Sequence, residues 1–236
     1  MKFLRHTVPL LLLTCLCMGC AGLQNMGLED ILQGPLDEGT VAAGLREALT
    51  VGTGRAVSTT SDRDGFLGNP LIRIALPTDL QGAAGTLRDL GQGDHVDRFV
   101  TLMNRAAEQA SGLALDPFAD AVRQMTIADA FGILEGPPHA ATAYFRDATE
   151  DSLRTRFQPV VADAMGEIGL YDDYESLLDL YDLIPFTDKP SLDLTGYITD
   201  RTLDGLFHTL AEEEGRIRSD PIARTTALLK RVFGRK

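Results

Sequence analysis

Apolar residues recur every three or four positions over most of the chain from Thr40 onward, which is the spacing of amphipathic helices. Two predicted helices start at an Asp-Pro pair, Asp116-Pro117 and Asp220-Pro221, where Asp caps free N–H groups and Pro fits the first helical position. Helices are predicted over about residues 40–52, 79–90, 96–110, 116–125, 126–134, 139–167, 171–183, 199–218 and 220–234. The pattern therefore predicts an all-α fold, a compact bundle of about seven to nine helices.

Glycine, proline and a capping pair mark several predicted helix ends. Gly52 and Gly54 weaken the end of the first helix, because glycine has a low helix propensity. Pro159 is expected to kink or restart its helix, because proline cannot donate a backbone hydrogen bond. Thr126 and Asp129 have the spacing of a capping box, which indicates a new short helix.

Residues 61–77 interrupt the helical pattern with the glycines and the Asn-Pro pair of a loop. Apolar and other residues alternate in its second half, in the order Ile72, Arg73, Ile74, Ala75, Leu76. This alternation is typical of a short strand, or of an extended segment held between Pro70 and Pro77. Because no partner strand is evident, the sequence predicts one short extended or hairpin segment near residues 66–77.

The first twenty residues have the pattern of an export signal. Lys2 and Arg5 precede an apolar run over residues 8–18, which is too short to cross a membrane as a helix. Gly19 precedes Cys20, which resembles the bacterial lipobox, where a small residue stands before the cysteine that receives the lipid. The sequence thus predicts lipidation at Cys20, and the alternative is an ordinary cleaved signal peptide.

Three segments follow from this N-terminus. They are a signal peptide over residues 1–19, a lipidated cysteine with a tether over residues 20–36, and a single helical domain over residues 37–236. The residue after Cys20 is Ala21 rather than Asp, which favours the periplasmic face of the outer membrane if the host is diderm. The lipid anchor is therefore the predicted membrane contact.

Composition and charge exclude several classes of protein. The chain has 236 residues, of which 44% are hydrophobic and 24% are charged, as in ordinary globular proteins. Its formal net charge of −12 argues against a nucleic-acid partner. All three cysteines fall within the first twenty residues, so the helical domain has no disulfide framework and no cysteine-based metal site.

One predicted helix carries a candidate metal site. Asp204, His208 and Glu212 are spaced four apart, so their side chains share one stripe of the helix. Histidine with two carboxylates can hold a divalent metal. A solvated face with ion pairs between successive turns has the same spacing, and it is the favoured interpretation; no cofactor is predicted.

Charged residues elsewhere suggest a candidate ligand site. Arg105, Glu108, Arg146 and Arg224 would together line a pocket for an anion or a polar ligand. Arg105 lies at the edge of an apolar helix face, where a partly buried cation needs a carboxylate partner. The favoured alternative is a network of salt bridges that joins the helices. No serine has a nucleophile-elbow context and no phosphate loop is present, which favours a protein without enzymatic activity.

Several ordered blocks resemble an uncharacterised bacterial family. The blocks are DGFLGNPLIRIALP, MNRAAEQA, QMTIADAFGILEG with ATAYFR, and GYITDRTLDGLFHTLAEEEGRIRSDPIARTTALLKRVFG. They are similar to the secreted family known as domain of unknown function 4197, from about residue 37 to the C-terminus. The resemblance implies a helical extracytoplasmic domain, often behind a lipoprotein-type signal, and no established activity.

Three hypotheses for the function remain. The first is a non-enzymatic, lipid-anchored envelope protein whose helical domain binds an envelope partner. The second is a periplasmic carrier of a small ligand or a lipid, with Arg105 or Arg146 at the mouth of an apolar space. The third is a metal-assisted hydrolase that uses the Asp204, His208 and Glu212 stripe. The sequence indicates no oligomeric state.

Overall fold

A computed structural model of the chain describes residues 37–167, 174–175, 179 and 193–220. Contacts divide the chain into two units, Met1–Asp37 and Glu38–Lys236, and every described helix belongs to the second unit. The predicted signal peptide and tether lie outside the described residues. So do the predicted helix after residue 220 and most of the helix predicted over residues 171–183.

All regular secondary structure in the described ranges is helical, which confirms the all-α class. The helices are α1 (Glu38–Ser61), α2 (Thr78–Asp89), α3 (Gly93–Ser111), α4 (Leu115–Gln124), α5 (Ile127–Glu135), α6 (Ala140–Glu167) and α7 (Leu194–Ser219). A 3₁₀ turn, Gly112–Ala114, joins α3 to α4. None of the helices in these ranges combines the length and the hydrophobicity that crossing a bilayer requires.

Helix α1 is longer than the sequence predicts, because it continues through Gly52 and Gly54 to Ser61. Gly52 is buried, and a Cβ atom added there would lie 3.3 Å from Cδ1 of Ile217 on α7. The missing side chain lets the two helices approach closely. Their packing offsets the low helix propensity of glycine, so the helix continues past the two glycines that were expected to weaken its end.

The sequence predicts that Pro159 either kinks or restarts its helix, and the structure shows that α6 does not restart there. A single helix runs from Ala140 to Glu167 with Pro159 inside it. Pro159 and Thr155 are both exposed, so the carbonyl that proline leaves without an N–H partner faces the solvent side of the helix. Water can satisfy that carbonyl, and packing of the opposite face holds the helix together.

Helix α7 is at the centre of the packing and contacts α1, α3 and α6. The ring of Phe118 on α4 meets two other buried rings edge to face, Phe145 at 5.3 Å and Phe207 at 6.1 Å between centroids. Such arrangements stabilise aromatic pairs beyond the area that they bury. The core therefore joins helices from both ends of the described chain.

Residues 62–77, here called the connecting segment, run from α1 to α2 without forming a strand. Ile72, Ile74 and Leu76 are buried, whereas Arg73 and Ala75 are exposed. The predicted alternation of buried and exposed side chains is therefore confirmed, but residues 63–68 and 70–72 form turns, and residues 73–77 have no regular secondary structure. Side chains of neighbouring helices supply the hydrogen bonds that a partner strand would give, and they position the site described next.

Candidate functional site

Glu108 on α3 holds the first half of the connecting segment. Glu108 is 4% exposed, and its Oε1 accepts hydrogen bonds from the backbone N–H groups of Phe66 at 3.2 Å and Leu67 at 3.3 Å. Its Oε2 accepts a hydrogen bond from Nη1 of Arg105 at 2.6 Å. Arg105 also binds Asp64, with 2.6 Å between Nη2 and Oδ1. Two of the predicted ligand residues, Arg105 and Glu108, thus stabilise this turn.

The charge of Arg105 is balanced within this cluster. Partial burial acts to lower the pKa of Arg105, but its hydrogen bonds to Asp64 and Glu108 outweigh burial, and the net effect raises the pKa. Asp64 has a left-handed backbone with φ of 67°, an uncommon conformation for a residue other than glycine. The ion pair with Arg105 lies at this turn and helps to hold it.

The second half of the connecting segment is held by Asn104 and Tyr197. Asn104 is fully buried; its Oδ1 accepts a hydrogen bond from the N–H of Ile74 at 2.8 Å, and its Nδ2 donates one to the carbonyl of Ile74 at 2.9 Å. The hydroxyl of Tyr197 on α7 donates to the carbonyl of Ala75 at 2.9 Å. Burial raises the pKa of Tyr197, with Arg201 acting in the opposite direction, and this favours the protonated, donating form.

Helices α6 and α7 are joined by a chain of alternating charges. It contains Arg146–Glu150 at 3.2 Å, Arg154–Glu150 at 3.3 Å, Arg146–Asp204 at 3.8 Å, Arg201–Asp204 at 3.0 Å and the contact Arg154–Asp200. The hydrogen bond to Asp200 raises the pKa of Arg154, against the effect of burial. This arrangement is the predicted network between helices.

Arg146 belongs to this chain and not to the Arg105 cluster. Its guanidinium also lies over the ring of Phe207, 4.4 Å from the centroid, which adds a cation–π contact. In the part of the chain that the structure describes, Arg105 and Arg146 have no partner in common. Arg224 lies outside the described residues. The geometry therefore does not assemble the predicted pocket from the members that are described.

A groove lies between the connecting segment and α7. It is lined by Leu71, Ile72, Arg73, Ile74, Arg201, Asp204, Gly205 and His208, and has a volume of about 210 Å³; we call it the Arg73 groove. Arg73 is exposed, and the described ranges contain no hydrogen bond or ion pair for its guanidinium. Leu71 is 67% exposed at the rim. Neither Leu71 nor Arg73 belongs to a motif that marks it as functional, although the alternation over residues 72–76 already places Arg73 on the outer side.

The predicted metal residues meet this groove in part. Asp204 and His208 line it, and Glu212 lies one turn further along α7, with 3.7 Å between Nε2 of His208 and Oε1 of Glu212. Asp204 is already bound to Arg146 and Arg201. Within the described ranges, no three His, Cys, Asp or Glu side chains are grouped as a metal site requires. The spacing thus gives a His–Glu contact next to an Asp that pairs with arginine.

Glu214 is a buried carboxylate whose role the sequence does not reveal. Its two oxygens accept hydrogen bonds from the N–H groups of Ala141 at 3.0 Å and Thr142 at 2.9 Å, and from the Thr142 hydroxyl at 2.8 Å. Nε of Arg218 donates to the same carboxylate at 2.9 Å. Glu214 on α7 therefore caps the start of α6 from a position more than seventy residues away in the chain.

A small apolar cavity lies beside Glu214. It is lined mainly by aliphatic residues of α1 and α7, namely Leu45, Ala48, Leu49, Leu210 and Ile217, together with Ile133 and Ala141. Its volume of about 20 Å³ is enough for one or two water molecules, because one water needs about 10–15 Å³ on this measure. An acyl chain does not fit into this space.

Comparison with known proteins gives one match. A family model described as a protein of unknown function, DUF4197, matches residues 35–234. No curated protein and no solved structure matches the chain. The match covers every described residue, and it agrees with the resemblance seen in the sequence blocks.

Proposed function

We propose that this chain, which belongs to the DUF4197 family of proteins of unknown function, is a lipid-anchored envelope protein. In this proposal it binds an envelope partner and does not catalyse a reaction. Cys20 carries the anchor, and the helical domain from residue 37 carries the binding surface at the Arg73 groove. The periplasmic face of the outer membrane is the proposed location in a diderm host.

The N-terminal sequence supports the anchor. A short basic region, an apolar run of about eleven residues and the Gly19-Cys20 pair follow the order of a lipoprotein signal. Cleavage before Cys20 would leave it as the first residue and the last cysteine of the mature chain. Several acyl chains on one residue give the stable anchoring that a single chain does not.

The single observation that supports the binding role is that Leu71 and Arg73 are exposed on a backbone held by side-chain hydrogen bonds. Both side chains are exposed, while the backbone around them is held by Asn69, Asn104 and Tyr197. A surface that is already ordered loses little conformational entropy when a partner binds. An exposed leucine beside an arginine whose guanidinium has no partner among the described residues is therefore suited to recognition of another molecule.

The two alternatives have less support from the geometry. A lipid carrier needs an apolar space, and the apolar cavity described above holds only about 20 Å³. A metal-assisted hydrolase needs free ligands, and Asp204 is bound to two arginines. The observation at Leu71 and Arg73 thus favours a binding function.

The anchor is tested by Cys20→Ser in the native host. We expect the unmodified protein to fractionate with membranes and to have the intact mass of a chain that begins at an acylated Cys20. The Cys20→Ser protein should lose both properties. A mature chain that carries no lipid, or that begins elsewhere, would remove the anchor from the proposal.

The binding surface is tested by a photo-crosslinking amino acid at position 71 in intact cells. Position 90 is the matched control, because Leu71 and Leu90 are both 67% exposed leucines. We expect one discrete adduct from position 71, none of the same mass from position 90, and loss of the adduct in Arg73→Glu. Equal adducts from both positions, or none from position 71, would contradict the binding role of this groove.

A further inference from the structure

The Arg73 groove is locally cationic on a protein of opposite charge. The formal net charge of the chain is −12, yet two arginines, Arg73 and Arg201, line the groove against one carboxylate, Asp204. Asp204 is shared, since it lies 3.0 Å from Arg201 and 3.8 Å from Arg146. The arginines of the groove therefore retain positive charge, and the groove attracts an anion.

Arg73 is the group with free binding capacity. Among the described residues its guanidinium has no hydrogen-bond or ion-pair partner, whereas Arg105, Arg146 and Arg201 each bind at least one carboxylate. A guanidinium presents parallel N–H donors that match the two oxygens of a carboxylate or a phosphate. An oxyanion that enters the groove can pair with Arg73 without breaking an existing contact.

Apolar surface lies next to this cation. Leu71 is 67% exposed at the rim, and Ile72 and Ile74 form the buried base of the groove. The volume of about 210 Å³ is smaller than the roughly 300–1,000 Å³ of sites that enclose drug-sized ligands. The space suits one anionic group with an apolar neighbour, which is the chemistry of an exposed chain end or an acidic side chain beside an aliphatic one.

Given the binding role proposed above, we propose that the Arg73 groove recognises a carboxylate of a protein partner, with Arg73 pairing to its oxygens and Leu71 packing on an adjacent aliphatic side chain. Charge complementarity and the apolar rim together select this partner over a bare anion. Asp204 disfavours a ligand with a higher negative charge, because its own carboxylate would repel that ligand within the same groove.

Saturation-transfer difference NMR with the detergent-solubilised full chain tests this proposal. The probes are N-acetyl-leucine, which has a carboxylate beside an aliphatic side chain, and N-acetyl-leucinamide, which lacks the charge. Acetate and inorganic phosphate are added as separate probes. We expect binding of N-acetyl-leucine, much weaker binding of its amide, and weaker binding of acetate.

Substitutions locate the binding. Arg73→Gln should weaken the binding of N-acetyl-leucine by about tenfold, as expected for loss of one charge-assisted hydrogen-bonding group. The matched control is Arg63→Gln, because Arg63 is an exposed arginine of the same segment that does not line the groove. Leu71→Ala should weaken the binding of N-acetyl-leucine and leave the binding of acetate unchanged.

Each contrary outcome overturns a defined part of the proposal. Tighter binding of phosphate than of N-acetyl-leucine, lost in Arg73→Gln, would replace a protein carboxylate with a phosphate group. Absence of binding, or equal losses in Arg73→Gln and Arg63→Gln, would overturn carboxylate recognition. If the adduct from position 71 persists in that case, the proposed partner binding stands, and if the adduct is absent as well, both fail.

Discussion

The side-chain amide of Asn104 forms hydrogen bonds with both the N–H and the carbonyl of Ile74, as the backbone of a neighbouring β-strand would do. The amide of Asn104 accepts from the N–H of Ile74 at 2.8 Å and donates to its carbonyl at 2.9 Å, and it also donates to Val100 at 2.7 Å. Both backbone groups of Ile74 are thereby satisfied although the segment has no neighbouring strand. This pair holds the backbone immediately after Arg73 in place.

We expect Asn104→Leu to lower the free energy of unfolding by about 2–4 kcal/mol, because two buried backbone groups of Ile74 lose their partners. Chemical denaturation monitored by circular dichroism measures the change. Gln109→Leu on the same helix is the control, since Gln109 is exposed and should change stability by at most about 0.5 kcal/mol. Equal effects of the two substitutions would show that Asn104 does not hold the segment.

The alternation over residues 72–76 predicts which side chains of the connecting segment are buried, because that pattern is local. The partners that fix the segment are not local, since Asn104 lies 30 residues from Ile74 and Tyr197 lies 122 residues from Ala75. No periodicity in the sequence relates such pairs. The all-α class could therefore be predicted, whereas the groove between this segment and α7 could not.

The burial of charged residues, like the distant contacts above, could not be predicted from local sequence patterns. The sequence contains Glu212, Glu213 and Glu214 in a row, and spacing selects Glu212 for its relation to His208. In the structure Glu213 and Glu214 are buried, whereas Glu212 is half-buried beside His208. Burial depends on where α7 meets its neighbours, so residue type and spacing alone cannot distinguish the three.

A close approach at Gly205 gives a second prediction. A Cβ atom at this position would lie 2.5 Å from Cε1 of the buried Phe66 and 3.2 Å from Cβ of Ile72. Gly205→Ala should therefore push the connecting segment away from α7 and lower the free energy of unfolding by about 1–3 kcal/mol. Thermal or chemical denaturation measures the loss.

Gly215→Ala on the same helix is the matched control for Gly205→Ala. Apart from its chain neighbours and the backbone of its own helix, no described residue has an atom within 4 Å of a Cβ added at Gly215, so alanine gains helix propensity without a clash. We expect this substitution to raise stability by about 0.5–1 kcal/mol. Opposite signs for the two variants would confirm the close approach, and a stabilising Gly205→Ala would contradict it.

The capping box of α5 gives a third prediction, which concerns pH. Asp129 accepts hydrogen bonds from the N–H of Thr126 at 2.9 Å and from the hydroxyl of Thr126 at 2.7 Å. Both bonds lower the pKa of Asp129, and the bond from the backbone N–H has the larger effect. Its ionised form is thus favoured by folding. The stabilisation is present above the pKa that Asp129 has in the unfolded chain, and is lost as pH falls through the lower folded pKa.

Thr126→Val should raise the pKa of Asp129 towards its ordinary value without restoring it fully, because the backbone hydrogen bond remains. Titration of the side-chain carboxyl carbon by NMR measures the shift. In Thr155→Val, which alters an exposed threonine of α6, the pKa of Asp129 should stay as in the unmodified protein. An unchanged pKa in Thr126→Val would exclude a contribution from the hydroxyl.

The last prediction concerns the acceptors that Glu214 offers to the start of α6. Both of its oxygens accept, with Ala141 and Arg218 on Oε1 and the N–H and hydroxyl of Thr142 on Oε2. In Glu214→Gln the new NH₂ group must face one of these donors, so a buried donor loses its acceptor while the volume stays the same. We expect the free energy of unfolding to fall by about 2–3 kcal/mol.

Glu212→Gln is the control for Glu214→Gln, because it makes the same chemical change on the same helix. Glu212 is half-buried and lies 3.7 Å from His208, so its loss of charge should alter stability by at most about 0.5 kcal/mol near neutral pH. Hydrogen exchange adds a local readout, since Glu214→Gln should speed exchange of the Ala141 and Thr142 amides before other amides of α6. Equal stability in the two variants, with unchanged exchange at Ala141 and Thr142, would contradict the capping role of Glu214.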